Sequence, residues 1–252
     1  MGQVPAATRA LRVLRYLAGQ PDPVTLDRLA SAVGLPRSTA YHLVTAMIEE
    51  GFVVHLPEEH RYGLGVAAFE VGSGYARQEP LQRISRRQLA SLVDAVGQSA
   101  HLAILHGREV LYVIEERAPG RPSLVTDVGV RLPAHLTASG RAILAHLPPS
   151  QVRALYSSAD DFVDRNGRGP RRLTELRAIL ADTRTRGHAV EDGEITAGLA
   201  SIAVAALDHN GHPVAAVALT YPDGTDTARL ATAVNATATA LSRRIGGAPT
   251  SR

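Results

Sequence analysis

The stretch from Thr25 to Tyr62 constrains the fold more than any other part of the chain. Thr25 to Gly34, TLDRLASAVG, predicts a short helix that stops at a glycine, and Leu35-Pro36 opens a second helix at once. Proline suits a first helical turn because its missing N–H would have no partner there. Leu43, Val44, Met47 and Ile48 fall at three- and four-residue spacing and form an apolar stripe. Arg37, Ser38, Thr39, Tyr41, His42 and Thr45 are left on the other face or in the first turns. Gly51 ends this helix. Phe52-Val53-Val54 and Arg61-Tyr62 then read as short extended runs joined by the polar turn Pro57-Glu58-Glu59-His60. Helix, glycine turn, helix is the sequence form of a helix-turn-helix, whose second helix lies in the major groove of DNA. The same two helices could serve only as a packing unit, but the wing that follows favours double-stranded DNA as the partner.

Composition removes several chemistries. A chain of 252 residues suits two modest domains, each able to bury a core. With no cysteine there is no disulfide, thiolate metal site or cysteine nucleophile. All 27 basic residues are arginine, which excludes a lysine-dependent phosphate loop and a lysine Schiff base. The sequence has no apolar run of about 18 residues and no charged-then-apolar leader, so a cytoplasmic protein without a membrane partner is expected. The net charge of +3 argues weakly for nucleic acid. Up to Gly63, arginines 9, 12, 15, 28, 37 and 61 balance acids 22, 27, 49, 50, 58 and 59. Modest affinity with noticeable salt dependence is the expectation.

Residues 1–63 read as the helix-turn-helix domain, 64–79 as a connecting helix, and 80–252 as a second domain. Thr8 can cap a first helix whose apolar face includes Leu11, Leu14, Tyr16 and Leu17. Leu64 to Arg77 continues from the wing as the connecting helix, with Gly72 and Gly74 weakening its end. Pro80 to Val96 is amphipathic and stops at Gly97. Ala100–Leu105 and Val110–Glu115 form a hairpin, and Leu124-Val125-Thr126 is another short strand. Helices follow over 137–147, 149–156 and 173–186, with a polar loop over 160–170. Leu199–Leu207 and Pro213–Tyr221 flank Asn210-Gly211, a strong hairpin turn signal. Thr227 to Ile245 closes the chain as a helix. An antiparallel sheet flanked by helices makes the second domain α+β.

Several motifs in series resemble the IclR family of bacterial transcription regulators: ATRALRVLRYLA, LASAVGLPRSTAYHLV, the wing ending RYGLG, RLPAHLTASGRAILA, and GLASIAVAALDHNGHPVAAVALTYP. They run in the family's order over nearly the whole chain. The resemblance implies a winged helix-turn-helix joined by a connecting helix to a GAF-like effector domain. It implies operator contacts by Arg37, Ser38, Thr39, Tyr41, His42, Thr45 and the wing residue Arg61. The family commonly has arginine where His42 stands. The connecting helix is implied to join chains into a homodimer or tetramer.

His135 to Gly140 precedes and opens a helix, whose free N–H groups and dipole favour an anion. A plain N-cap by Thr137 or Ser139 explains the same residues. The resemblance implies that Leu136, Thr137, Ala138, Ser139 and Gly140 border an effector pocket. The facing residues, by motif position, are Glu191, Ser201, Ala218 and Thr220. A charged Glu191 would repel a carboxylate, so an organic acid, an aromatic or an amide-type metabolite all remain open. No cofactor or metal is expected: His101, His106, His135 and His146 are scattered. Ser139 in TASGR does not form a hydrolase elbow, and no carboxylate pair stands out by spacing. No catalytic residue is assigned. The expected function is a regulator, in the manner of a repressor of a catabolic pathway; the alternative is a metabolite-processing enzyme with an accessory helix-turn-helix.

Overall fold

The computed structural model describes residues 4–78, 80–120 and 125–246. The chain divides into two compact units, Met1–Glu79 and Pro80–Arg252.

In the first unit α1 (Pro5–Ala18), α2 (Leu26–Val33) and α3 (Arg37–Glu49) close around Val13, Leu17, Leu29, Ala40, Val44 and Met47. Helix α1 begins at Pro5, not at a Thr8 cap; the Thr8 hydroxyl instead donates back to the Val4 carbonyl. Proline's fixed φ starts the helix there without a side-chain cap. Leu11 is left 64% exposed, and Val13 takes its expected place in the core. Gly34 is left-handed and turns α2 into α3. After α3, the Gly51 and Phe52 amides bond back to the Ile48 and Met47 carbonyls, ending the helix as expected. The wing is β2 (Val53–Leu56) and β3 (Arg61–Leu64). A third strand, β1 (Val24–Thr25), adds to it through the pairs Val24–Tyr62 and Thr25–Arg61. Leu64 belongs to this wing, so the connecting helix α4 starts at Val66 and continues past Gly72 to Gln78. Gly65 allows the transition, because a Cβ there would lie 2.2 Å from the Gly51 carbonyl oxygen.

The second unit is a six-stranded antiparallel sheet with helices on both faces. Its strands are β4 (Ser99–His106), β5 (Glu109–Glu116), β6 (Arg131–Pro133), β7 (Ala189–Asp192), β8 (Leu199–Leu207) and β9 (Pro213–Pro222), in the order β6-β5-β4-β9-β8-β7. Strands β6 and β7 are additions to the sequence reading. Leu124 lies outside the described residues, and Val125 and Thr126 are irregular rather than strand.

Alternation along the strands gives each face its own composition. Leu102, Ile202, Val217 and Leu219 point to one face, where α5 (Pro80–Val96) and α9 (Ala228–Arg244) bring Leu89, Leu92, Leu230, Val234 and Leu241. Fully burying each such side chain contributes about 1.5–3 kcal/mol. The other face carries alanines 189, 203, 205, 216 and 218. These small residues let α6 (Ala138–His146) approach closely, with Ala138, Ala142 and Ile143 against them. Helices α7 (Pro149–Leu155) and α8 (Leu173–Arg186) extend this layer over Val110, Tyr112 and Leu144.

Candidate functional site

Two surfaces carry the residues singled out above. On α3, Arg37, Ser38, Tyr41 and His42 are exposed, and Thr39 and Thr45 are half-buried. Ala40, Val44 and Met47 face inward, so the polar set is presented outward by helix geometry alone. Thr45 donates to the Tyr41 carbonyl at 2.9 Å. Arg37 pairs with Asp27 of α2 at 2.6 Å, both side chains being exposed. A pair in that setting is worth about 0–1 kcal/mol, so a phosphate or base can displace it. Arg61 is exposed on β3, where its guanidinium donates to the Pro23 carbonyl. Glu58 and Glu59 form the turn between the wing strands, and His60 there adopts a left-handed conformation at φ 51°.

The second surface is a narrow cavity of ≈ 420 Å³ empty space at the start of α6. Sheet register explains its wall. Ser99, Thr220, Ser201 and Glu191 lie in one cross-strand row, and His101, Ala218, Ala203 and Ala189 in the next. The alanine floor beneath α6 thus gives way to polar side chains beyond its first turn. Of the residues expected here, Thr137, Ala138, Ser139, Glu191, Ser201, Ala218 and Thr220 line the cavity. Leu136 and Gly140 do not. Leu136 is wholly buried, and Gly140 provides the close approach of α6 to Ala134, whose carbonyl oxygen would be 2.2 Å from an added Cβ.

Capping and ligand-facing roles separate within the motif. The Thr137 hydroxyl accepts from the Gly140 amide at 3.0 Å and is the N-cap. The Ala138 and Ser139 amides, in the first turn, have no intrahelical acceptor. Ser139 Oγ is buried, lines the cavity and makes no hydrogen bond of normal geometry, although the Tyr112 phenol lies near enough to act on it. Opposite, Ser201 and Thr220 share a hydrogen bond at 3.1 Å. One Glu191 oxygen accepts from the Ile195 amide at 3.0 Å.

Burial sets the charges. It pushes the Glu191 carboxyl up to about 7, against the pull of the Ile195 amide. It pulls the His101 imidazole down to about 4, with Arg117 acting in the same direction. His101 Nε2 and the Thr126 hydroxyl are hydrogen-bonded at 2.8 Å. Burial also raises the Tyr112 phenol, keeping it neutral.

Sequence reasoning missed His101, Tyr112, Thr126 and Thr196 on this wall. The available signal was Ser99 and His101 alternating with Ala100 and Leu102 on an otherwise apolar strand. It also missed Arg141, which is 3% exposed. Its guanidinium donates to the His135 and Val190 carbonyls and to Glu194 at 2.9, 2.7 and 2.7 Å. That clamp ties the start of α6 to β7 and to the turn carrying Ile195 and Thr196. Among the described residues no group of three or more His, Asp or Glu could hold a metal ion. No described helix is long and apolar enough to cross a membrane.

A winged helix-turn-helix and a separate ligand-sized cavity together define a DNA-binding regulator with an effector domain. Residues 6–57 match the IclR helix-turn-helix domain, and residues 73–243 match the bacterial transcriptional regulator IclR C-terminal domain. The chain belongs to the IclR family, which consists of transcription regulators and not enzymes. It is 30% identical over 225 residues to the transcriptional repressor IclR of Escherichia coli (strain K12), covering 88% of this chain and 81% of that protein. It is 32% identical over 244 residues to the glycerol operon regulatory protein of Streptomyces coelicolor, covering 94% and 95%. An IclR homologue from Microbacterium hydrocarbonoxydans, solved with 4-hydroxybenzoate, shares the fold at TM-score 0.80 and 24% identity, over 95% of this chain and 98% of that one.

Proposed function

We propose that the chain is a cytoplasmic, homo-oligomeric repressor of a catabolic operon whose effector binds in the cavity at the start of α6. The observation that carries this reading is the buried, unpaired Ser139 hydroxyl on the wall of that cavity. A buried polar group without a partner costs about 1–3 kcal/mol, and a ligand that supplies the partner recovers it. The relatives named above govern operons, one of them for glycerol, and a structural neighbour holds a small aromatic acid. These support control by a small metabolite.

In this reading Arg37, Ser38, Thr39, Tyr41, His42, Thr45 and Arg61 contact the operator. Arg37 leaves Asp27 when DNA arrives. Fluorescence anisotropy with DNA from the chain's own upstream region tests this. Arg37→Ala costs about 1–3 kcal/mol and relaxes one operator position if Arg37 reads a base edge. Equal weakening on every sequence marks a phosphate contact instead. Unchanged affinity removes Arg37 from the interface. Asp27→Asn frees Arg37 and tightens binding by up to about fivefold, the equivalent of an exposed ion pair.

A further inference from the structure

We propose that the effector is a small uncharged molecule bearing several hydroxyl groups, a polyol or a sugar-like compound, and that the cavity selects against carboxylates. This rests on the reading that the cavity at the start of α6 is the effector site.

The wall offers hydroxyls on both sides. Thr137, Ser139 and Thr196 stand on the helix and turn side, and Ser201 and Thr220 on the sheet. A hydroxyl is both donor and acceptor, so such a wall matches a ligand whose own groups are also both. Ser139 has no protein partner of normal geometry, and the Ser201–Thr220 bond joins two groups that each keep unused capacity.

Charge argues in the same direction. No arginine lines the cavity. Arg141, the nearest cation to the start of α6, has its donors committed to Glu194, Val190 and His135. His101 is held neutral by burial, and Tyr112 likewise. The one acid on the wall is Glu191, 3% exposed. The cavity is therefore neutral or negative, never positive. A buried anion would be left with the dipole and two amides of α6 against Glu191, without a full counter-charge. A neutral hydroxyl donor meets no such penalty, and the Glu191 carboxyl can accept from it.

Calorimetric titration of the full chain, in buffer free of polyols, tests the proposal. The probes are glycerol, erythritol and xylitol, set against pyruvate and 4-hydroxybenzoate. Each is repeated on Ser139→Ala and Thr220→Val. Ser139→Ala removes a hydroxyl that bonds nothing in the fold, so the variant stays folded. The expected result is saturable binding of at least one polyol, weakened about tenfold by each variant as one hydrogen bond is lost, with no saturable binding of the acids. Absence of saturable binding by every polyol overturns the proposal. Tighter binding of an acid, weakened by the same variants, overturns the ligand class and leaves the cavity as the effector site. Saturable binding that both variants leave unchanged overturns the site, and the proposal with it.

Discussion

Glu191 and His101 occupy neighbouring rows of one sheet face and are shifted in opposite senses by the same burial. Glu191 rises from 4.5 to about 7. The folded chain then holds a proton that the unfolded chain has released, and stability falls as pH rises through that window. Ile195 N, Glu194, Ser201 and Arg141 are the groups that act on it besides burial. His101 falls from 6.5 to about 4, so the unfolded chain takes up a proton first and stability falls as pH drops through that window. Each shift corresponds to about 3 kcal/mol, and the two largely cancel in the parent. Single variants expose them. Relative to the parent, Glu191→Gln gains about 3 kcal/mol as pH rises from acid to neutral, and His101→Gln gains a similar amount as pH falls, read by urea unfolding across that range. Parallel curves for parent and variants would show that neither group is buried in its shifted form. Glu191 was legible through its motif position. The His101 partnership was not, since His101 and Thr126 meet only through a segment that lacks regular structure.

At the scale of the element, α6 was legible in kind, and its position depends on close contacts that periodicity does not encode. TASGR resembles any capped helix start. What distinguishes it is that Thr137 caps, Gly140 fits against Ala134, and Arg141 reaches β7 and the Glu194 turn. Gly140→Ala puts a Cβ onto backbone atoms of Ala134, within 2.6 Å at each of three contacts, so the helix must shift. The expected loss is about 1–3 kcal/mol, with weaker effector binding because the cavity wall moves. Arg141→Met leaves Glu194 without its cation and two carbonyls without a donor, and costs about 3–5 kcal/mol. Thermal melts with and without effector separate the two: both variants melt lower, and a variant of normal stability refutes the packing argument for that residue. The short strands β1, β6 and β7 escaped the sequence reading for a related reason. Runs of two to four residues are too short to show alternation, and their pairing is decided by the longer strand alongside.

For the whole molecule, one head per chain carries as many acids as arginines, so a single head is a weak DNA ligand. Pairing two heads on one operator raises affinity without new contacts, because the second binding event becomes intramolecular. An effector then changes operator occupancy only as far as its affinity differs between two arrangements of the heads. The chain exposes an apolar surface suited to joining copies: on α4, Val66, Phe69 and Val71 are 72%, 75% and 61% exposed. Three large apolar side chains on one short helix are costly in water, and covering each recovers about 1.5–3 kcal/mol. Phe69→Glu places a charge on that surface while leaving the core of the head untouched, since Phe69 packs against none of its buried cluster. The expected outcome in light scattering is a smaller species at micromolar concentration. In anisotropy, affinity for a full operator, with half-sites about 10 base pairs apart or a multiple of that, falls towards the affinity for one half-site. Binding to an isolated half-site stays the same, because α3 and the wing are unaltered. If Phe69→Glu keeps both the parent's size and its operator affinity, copies join through another surface and α4 serves only to connect the domains.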